Sequence, residues 1–366
     1  MRSGRLRYIV ATACLVVGAA ALAPGAWGYD GGSVAAGDYA NCAIRTDGHI
    51  DCWGRDWPVP PYGSVSGPNG STDTFTQISA FNGATCAVDV SSRLRCWGAD
   101  TYAQSGFLGE ANASSGTFTQ VAVTYQGACG LQTDGHVTCF GGWQIQPSAG
   151  QFDTAGLLST GTYTQVSVGS NVQEGYGDYG CALSTAGHAV CWGWDWSGYV
   201  ASFASHPTAF TQISAGTYGQ VCGVEVGGRI FCAGPDAYGS VSGPDASTDT
   251  FTQVSTGHFG VTCGVKTDGH LRCWGNPYTS MVIGPNASTD TFAEISVSYD
   301  SVCALTTSGH VRCWGTDFSG SISGPNASTA LYGYRADATP PVLSVPDPIT
   351  VEATGPDGAA VDFAVT

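Results

Sequence analysis

Fourteen of the fifteen cysteines fall into seven pairs, each spaced ten positions apart: Cys42 with Cys52, Cys86 with Cys96, Cys129 with Cys139, Cys181 with Cys191, Cys222 with Cys232, Cys263 with Cys273 and Cys303 with Cys313. The stretch Cys263-Gly-Val-Lys-Thr-Asp-Gly-His-Leu-Arg-Cys273 shows what the spacing demands. Two short alternating runs flank Thr-Asp-Gly, and Gly269 suits the left-handed backbone that closes a three-residue turn with a bulge. Pairing Lys266 with His270 across that turn sets Cys263 opposite Cys273 on a non-hydrogen-bonded rung. Side chains approach closest there, which suits a disulfide. Val265 and Leu271 then share the sulfur face, because side chains repeat every second residue. A zinc site would need four converging ligands, usually at CxxC or HxxxH spacing, and neither spacing occurs.

The leftover Cys14 lies in a leader-like segment. Arg2, Arg5 and Arg7 precede an apolar run from Tyr8 to Ala23, and Ala26-Trp27-Gly28 supplies small residues at both cleavage positions. The expectation is a signal peptide over residues 1–28 and a mature chain from Tyr29. Anchoring through Cys14 as a lipoprotein is the lesser reading, since the apolar run before it is short. No later stretch is long and apolar enough to span a membrane. A secreted, extracellular chain agrees with the disulfides, which cytosolic reductants would open.

Successive first cysteines are 44, 43, 52, 41, 41 and 40 residues apart. A period of that size implies an array of supersecondary units. The 53 glycines, abundant Ser and Thr, and lack of a helical apolar period point to strands joined by tight turns. Each period reads as four short strands: one like Phe251–Ser255, the two hairpin arms, and one like Tyr238–Ser242. The Gly-Pro-Asn/Asp-Ala-Ser-Thr segments read as turns into the next unit. Seven such units fit an all-β, seven-bladed propeller over residues 29–336, with one disulfide-stapled hairpin per blade. Each bridge closes a short loop and adds about 2–3 kcal/mol.

The pattern Cys-Ala-Leu-x-x-x-Gly-His-x-x-Cys-Trp-Gly, preceded by Phe-Thr-Gln-Ile-Ser-Ala-Gly, resembles the regulator of chromosome condensation repeat. It is most similar to exported bacterial forms, which include a secreted β-lactamase inhibitory protein. The resemblance runs from about Ser33 to Ala336 and implies the propeller fold, whereas propeller scaffolds host unrelated activities. Two features depart from it. The usual Gly-Gln-Leu-Gly after the Trp-Gly strand is replaced by variants such as Gly63-Ser-Val-Ser66, and the chain is acidic. Net charge is −16, and loss of the three leader arginines leaves 9 Lys+Arg against 28 Asp+Glu. A net charge of about −19 repels nucleic acid and anionic lipid, so neither is an expected partner. For ring closure there are two candidates, Ser33–Gly37 at one end and Ser328–Ala336 at the other. Beyond the propeller, residues 337–366 resemble the opening strands of a hyalin repeat, an immunoglobulin-like module. Too few strands are present for a sandwich core. The segment reads as a truncated domain, or as strands that another chain completes.

In an up-and-down blade, the loop after the first strand and the loop after the third lie at the same end. One aromatic set follows the first strands: Tyr39, Phe81, Tyr125, Tyr179, Tyr218, Phe259 and Tyr299. The other follows the Cys-Trp-Gly strands: Trp57, Tyr102, Trp143, Trp194, Trp196, Tyr238, Tyr278 and Phe318. The second set, together with Tyr179, forms the candidate ligand-contact rim, since exposed aromatic surfaces bind proteins and stack on sugars. The first set otherwise reads equally well as scaffold wedged between blades. Two long connections, Gln144–Gly161 and Asn171–Tyr179, fall on the same rim beside Trp143, Trp194 and Trp196, making this the preferred contact patch. Asp56, Asp100, Asp195, Asp236 and Asp317, each four residues after a hairpin's second cysteine, are expected to accept backbone N–H groups and fix the loops. Calcium or sugar binding is the lesser reading for them. His49, His136, His188, His270 and His310 occupy turns at the opposite end, spread too widely to share a metal. Asn69, Asn112, Asn286 and Asn326 begin Asn-x-Ser and read as turns or as glycan acceptors.

The residues contain no Ser-His-Asp context and no phosphate loop, although carboxylates from separate blades could still pair for glycoside hydrolysis. The expected function is a secreted, monomeric, non-enzymatic module with no cofactor or metal, binding an extracellular protein through its aromatic rim. Polysaccharide binding or a passive adhesion scaffold are the alternatives.

Overall fold

The computed structural model describes residues 32–56, 63–98, 106–141, 152–153, 161–170, 177–195, 197–257, 260–277 and 279–333. The expected signal peptide and the segment that resembles a hyalin repeat lie outside the described residues. Seven antiparallel sheets form a β-propeller, each built from an inner, a middle and an outer strand. Blade one comprises Val34–Ala36, Ala40–Ile44 and Ile50–Gly54; blade two Phe75–Phe81, Ala84–Asp89 and Leu94–Gly98; blade three Phe118–Val123, Gly127–Gln132 and Val137–Gly141. Blade four comprises Tyr163–Gly169, Tyr179–Ser184 and Ala189–Gly193; blade five Phe210–Ala215, Val221–Glu225 and Ile230–Ala233. Blade six comprises Phe251–Thr256, Thr262–Lys266 and Leu271–Trp274; blade seven Phe292–Val297, Ser301–Thr306 and Val311–Gly315.

The hairpin geometry follows the turn chemistry. Lys266 N donates to His270 O at 2.9 Å, Gly269 N to Lys266 O at 2.8 Å, and Gly269 takes φ +86°. That register places Cys263 opposite Cys273. The same register recurs in every blade, and all seven pairs are disulfides within their own hairpins. Cys42 bonds to Cys52, Cys86 to Cys96, Cys129 to Cys139, Cys181 to Cys191, Cys222 to Cys232, Cys263 to Cys273 and Cys303 to Cys313, with Cα–Cα distances of 4.0–4.1 Å. Cys191 is fully buried, whereas Cys139, on the outer strand of blade three, is only partly so. Val265 and Leu271 are buried on the sulfur face.

The expected fourth strand is absent from six of the seven sheets among the described residues; blade four adds Phe152–Asp153 outside its outer strand. Short helices follow the outer strands instead, at Ser66–Asn69, Phe107–Ala113, Tyr199–Ala204, Ser242–Ala246, Ser280–Ala287 and Ser323–Ala327. Three of them carry the Gly-Pro pair in their first turn (Pro68, Pro244 and Pro325), where the missing proline N–H costs no hydrogen bond. The strand's pairing role passes to one side chain. Asn286 accepts from Cys273 N at 2.7 Å and donates to Cys273 O at 2.9 Å. Asn69, Asn112 and Asn326 do the same for Cys52, Cys96 and Cys313. The Asn-x-Ser asparagines thus cap the outer edge of their blades.

Inner strands of adjacent blades are tied by side chains. Gln77 accepts from Val121 N at 2.9 Å and donates to Val121 O at 2.8 Å. Gln120, Gln165 and Gln212 make the same two bonds to Val166, Ile213 and Val254. Ring closure uses both ends of the chain. Gly333 N donates to Ile44 O at 2.9 Å, while Ile44 N donates to Ser33 O at 2.8 Å. Blade one's inner edge is therefore composite: Leu331–Gly333 supplies its start and Val34–Ala36 the remainder. The joint falls where other inner strands carry a bulge, as between Phe75 and Gln77. Tyr332 replaces the inner-strand phenylalanine and meets Trp53 edge-on at 5.6 Å, as Phe75 meets Trp97 at 5.6 Å.

Candidate binding face

Loops after inner strands and loops after outer strands lie together at one end. Arg55 N donates to Tyr39 O, Trp194 N to Asp178 O and Thr316 N to Asp300 O, and the Tyr39 and Phe318 rings meet at 5.8 Å. The hairpin turns form the opposite end.

The four described aspartates of the outer-strand loops play the expected structural part. Asp236 accepts from Val241 N at 2.9 Å and Ser242 N at 3.1 Å. Asp56 does so from Val65 and Ser66, Asp195 from Val200 and Ala201, and Asp317 from Ile322 and Ser323. Bonds from the Ser242 hydroxyl and Val241 N–H hold Asp236 below the usual carboxylate range. Those from Ile322 and Ser323 do the same for Asp317. Asp100 lies outside the described residues.

These clamps support protruding rings. Tyr238 is 69% exposed, Tyr299 43%, Trp194 37% and Phe318 37%. Tyr238 adopts φ +54°, an outlier for a bulky residue. Among the described residues, four of the five non-glycine residues with positive φ (Asn82, Tyr218, Tyr238 and Ser319) belong to this end. Tyr179 is not part of the exposed surface. It is buried, and its hydroxyl lies 3.0 and 2.8 Å from the carbonyls of Gly216 and Gln220, so it wedges blade four against blade five. Phe81 is likewise buried, meeting Tyr125 of the next blade at 6.5 Å. The first aromatic set thus divides: Phe81 and Tyr179 lie on strands and are buried, whereas Tyr299 lies in a loop and is exposed. Trp57, Tyr102, Trp143, Trp196 and Tyr278 lie outside the described residues, as do most of the two long connections.

Charge separates the two ends. Every ion pair found among the described residues joins groups at the hairpin-turn end or beside it, such as Arg95–Asp73 at 3.2 Å, Lys266–Asp268 at 3.0 Å and Arg312–Asp290 at 3.4 Å. At the loop end, burial raises Asp38 to about 7, and burial plus the charge of Asp38 raises Asp300 to about 8. Burial likewise raises Asp178 to about 7, although Gln126 N donates to it at 2.9 Å. Sequence reading did not single out Asp38, Asp178 or Asp300; only their place before the middle strands marked them. A cleft of about 1150 Å³ opens at the hairpin-turn end, lined by Thr211, Thr252, Lys266 and Asp268 among others. No group of three or more metal-binding side chains occurs among the described residues.

The blade architecture, the disulfide in each blade and the side-chain ties define a seven-bladed, disulfide-stapled β-propeller. The family model for the regulator of chromosome condensation (RCC1) repeat matches residues 33–56 and 292–321. No curated protein sequence matches the chain significantly. Among solved structures, the chain is similar to the CRINKLY WD40 ectodomain of the Arabidopsis thaliana receptor kinase ACR4, at 20% identity and a TM-score of 0.58, covering 80% of this chain and 98% of that one. It is also similar to the entire ectodomain of the Physcomitrella patens receptor kinase CR4, at 24% identity and a TM-score of 0.58, covering 79% of this chain and 74% of that one. At these identities the likeness concerns fold. Seven disulfides point to an oxidising, extracellular location, and no described helix is long and apolar enough to cross a membrane.

Proposed function

We propose that the chain is a secreted, non-enzymatic binding module that holds a protein partner on the aromatic loop end of the propeller. The observation that carries this reading is the set of exposed rings, Trp194, Tyr238, Tyr299 and Phe318, at one end of a rigid scaffold. Aromatic anchors of this kind dominate protein interfaces. Asp38 and Asp300 beside them favour a partner that presents lysine or arginine, because an incoming cation would relieve two crowded carboxylates. The two similar propellers are receptor ectodomains, which fits an extracellular binding role.

The test is affinity capture from the producing organism's extracellular fraction, with wild type and a Trp194→Ala/Tyr238→Ala/Phe318→Ala triple variant of matched melting temperature. A partner retained by wild type and lost by the triple variant supports the reading. Equal retention by both rejects the face. Polysaccharide is the second reading, favoured by the same exposed rings; binding to a glycan array that needs them, with no protein captured, would replace the first.

A further inference from the structure

We infer that Glu294 is a proton-sensitive clasp that seats the N-terminal strand in the ring. Residues Gln77, Gln120, Gln165 and Gln212 occupy its position in blades two to five, and each both accepts from and donates to the next inner strand. Gln253 of blade six also accepts from its neighbour, Ile295 N, at 2.8 Å. Only the joint between the last blade and the first substitutes an ionisable group. Glu294 accepts from Ser33 N at 2.8 Å across the closure, and next to it Ser296 Oγ accepts from Ala36 N at 2.9 Å.

The seated strand, Val34–Ala36, has three residues and is the shortest inner strand of the ring. Glu294 is 9% exposed. No strand packed on it brings a charge within its own span: Val34–Ala36, Phe251–Thr256 and Ser301–Thr306 contain no ionisable side chain. Charged groups at the ends of the adjoining strands are engaged elsewhere. Lys266 pairs with Asp268 and Asp249, Arg45 with Asp47 and Asp51, and Asp38 accepts from Tyr299 N at the other end of the short strand. A carboxylate buried without a counter-charge favours its neutral form. Burial accordingly raises Glu294, and the donors from Ser33 and Val34 only partly oppose it. The neutral acid resembles the glutamines at the other joints in shape and in presenting an acceptor oxygen beside a donor, with one donor hydrogen where the amide has two.

The sign follows from that direction. A carboxyl raised in the folded state contributes stability that is fully present below its unfolded value, near 4.5, and is lost as pH rises through the folded value. The clasp is therefore tightest in acid. The experiment measures melting temperature and amide exchange of residues 33–37 from pH 4.5 to 8 for wild type, Glu294→Gln and Gln253→Glu. Glu294→Gln should melt with wild type at pH 4.5, melt several degrees higher at pH 8, and exchange residues 33–37 more slowly there. Gln253→Glu should acquire an added loss of melting temperature as pH rises. An offset between Glu294→Gln and wild type that is the same at every pH overturns the inference, as does a Gln253→Glu profile parallel to wild type.

Discussion

Asn286 stands beside Cys273 as a neighbouring strand would, accepting its N–H at 2.7 Å and donating to its carbonyl at 2.9 Å. One side-chain amide thereby pairs the backbone at the residue whose sulfur staples the hairpin. In blade five the position is Asp245, which accepts from Cys232 N at 2.8 Å but, when ionised, has no proton to return.

Asn286→Ala should therefore destabilise the fold by about 1–3 kcal/mol, the usual cost of stranding a paired backbone group. Asp245→Asn, which restores the missing donor, should raise stability. Chemical denaturation of both variants checks the pair of outcomes.

Gly324 of blade seven lies against the indole of Trp53 in blade one; a Cβ placed there would come within 2.5 Å of the ring. Gly67 and Gly243 face Trp97 and Trp274 in the same way. Helix propensity alone would favour alanine, yet overpacking costs about 1–3 kcal/mol. Gly324→Ala should lower the melting temperature, and Gly324→Ala/Trp53→Phe should recover part of the loss.

Tyr238 holds a left-handed backbone while its ring projects into solvent. That conformation costs a non-glycine residue about 1–2 kcal/mol. Tyr238→Gly should leave stability unchanged or higher in thermal unfolding while weakening partner capture, the pattern expected where strain serves a surface.

Asp300 is raised to about 8 by burial and by the charge of Asp38. A raised carboxyl contributes stability below its unfolded value, near 3.9, and loses it as pH rises toward 8. Asp300→Asn should therefore gain melting temperature over wild type at pH 8 and little at pH 4. Asp317 runs the other way. Backbone and hydroxyl donors from Ile322 and Ser323 lower it, so its contribution is present at neutral pH and fades as pH falls through the acid range. Asp317→Asn should speed amide exchange at residues 322–323 at pH 6, with the difference shrinking in acid.

Local chemistry carried much of the fold into the sequence. The turn glycine, the ten-residue cysteine spacing and the alternation around Val265 and Leu271 determine one hairpin, and repetition extends it to a ring. The loop aspartates were legible for the same reason, since Asp236 acts on residues five and six positions away. Features that depend on distant partners were not. Asn286 replaces a strand through a contact thirteen residues away, and Gly333 and Ser33 meet on Ile44 from opposite ends of the ring. Tyr179 opens the middle strand of blade four and is buried against the next blade, whereas Tyr299 sits two residues before the middle strand of blade seven and is exposed. The Tyr179 hydroxyl finds carbonyl partners on the next blade that only the ring supplies.

The most direct measurement is mass mapping of an unreduced proteolytic digest. Seven linked peptides, each joining cysteines ten residues apart within one hairpin, are the predicted result, including Cys129 with Cys139 and Cys181 with Cys191 on either side of the long Gln144–Gly161 connection. Free thiols at those positions, or bridges between different repeats, would contradict the stapled blades and with them the ring that positions the binding face.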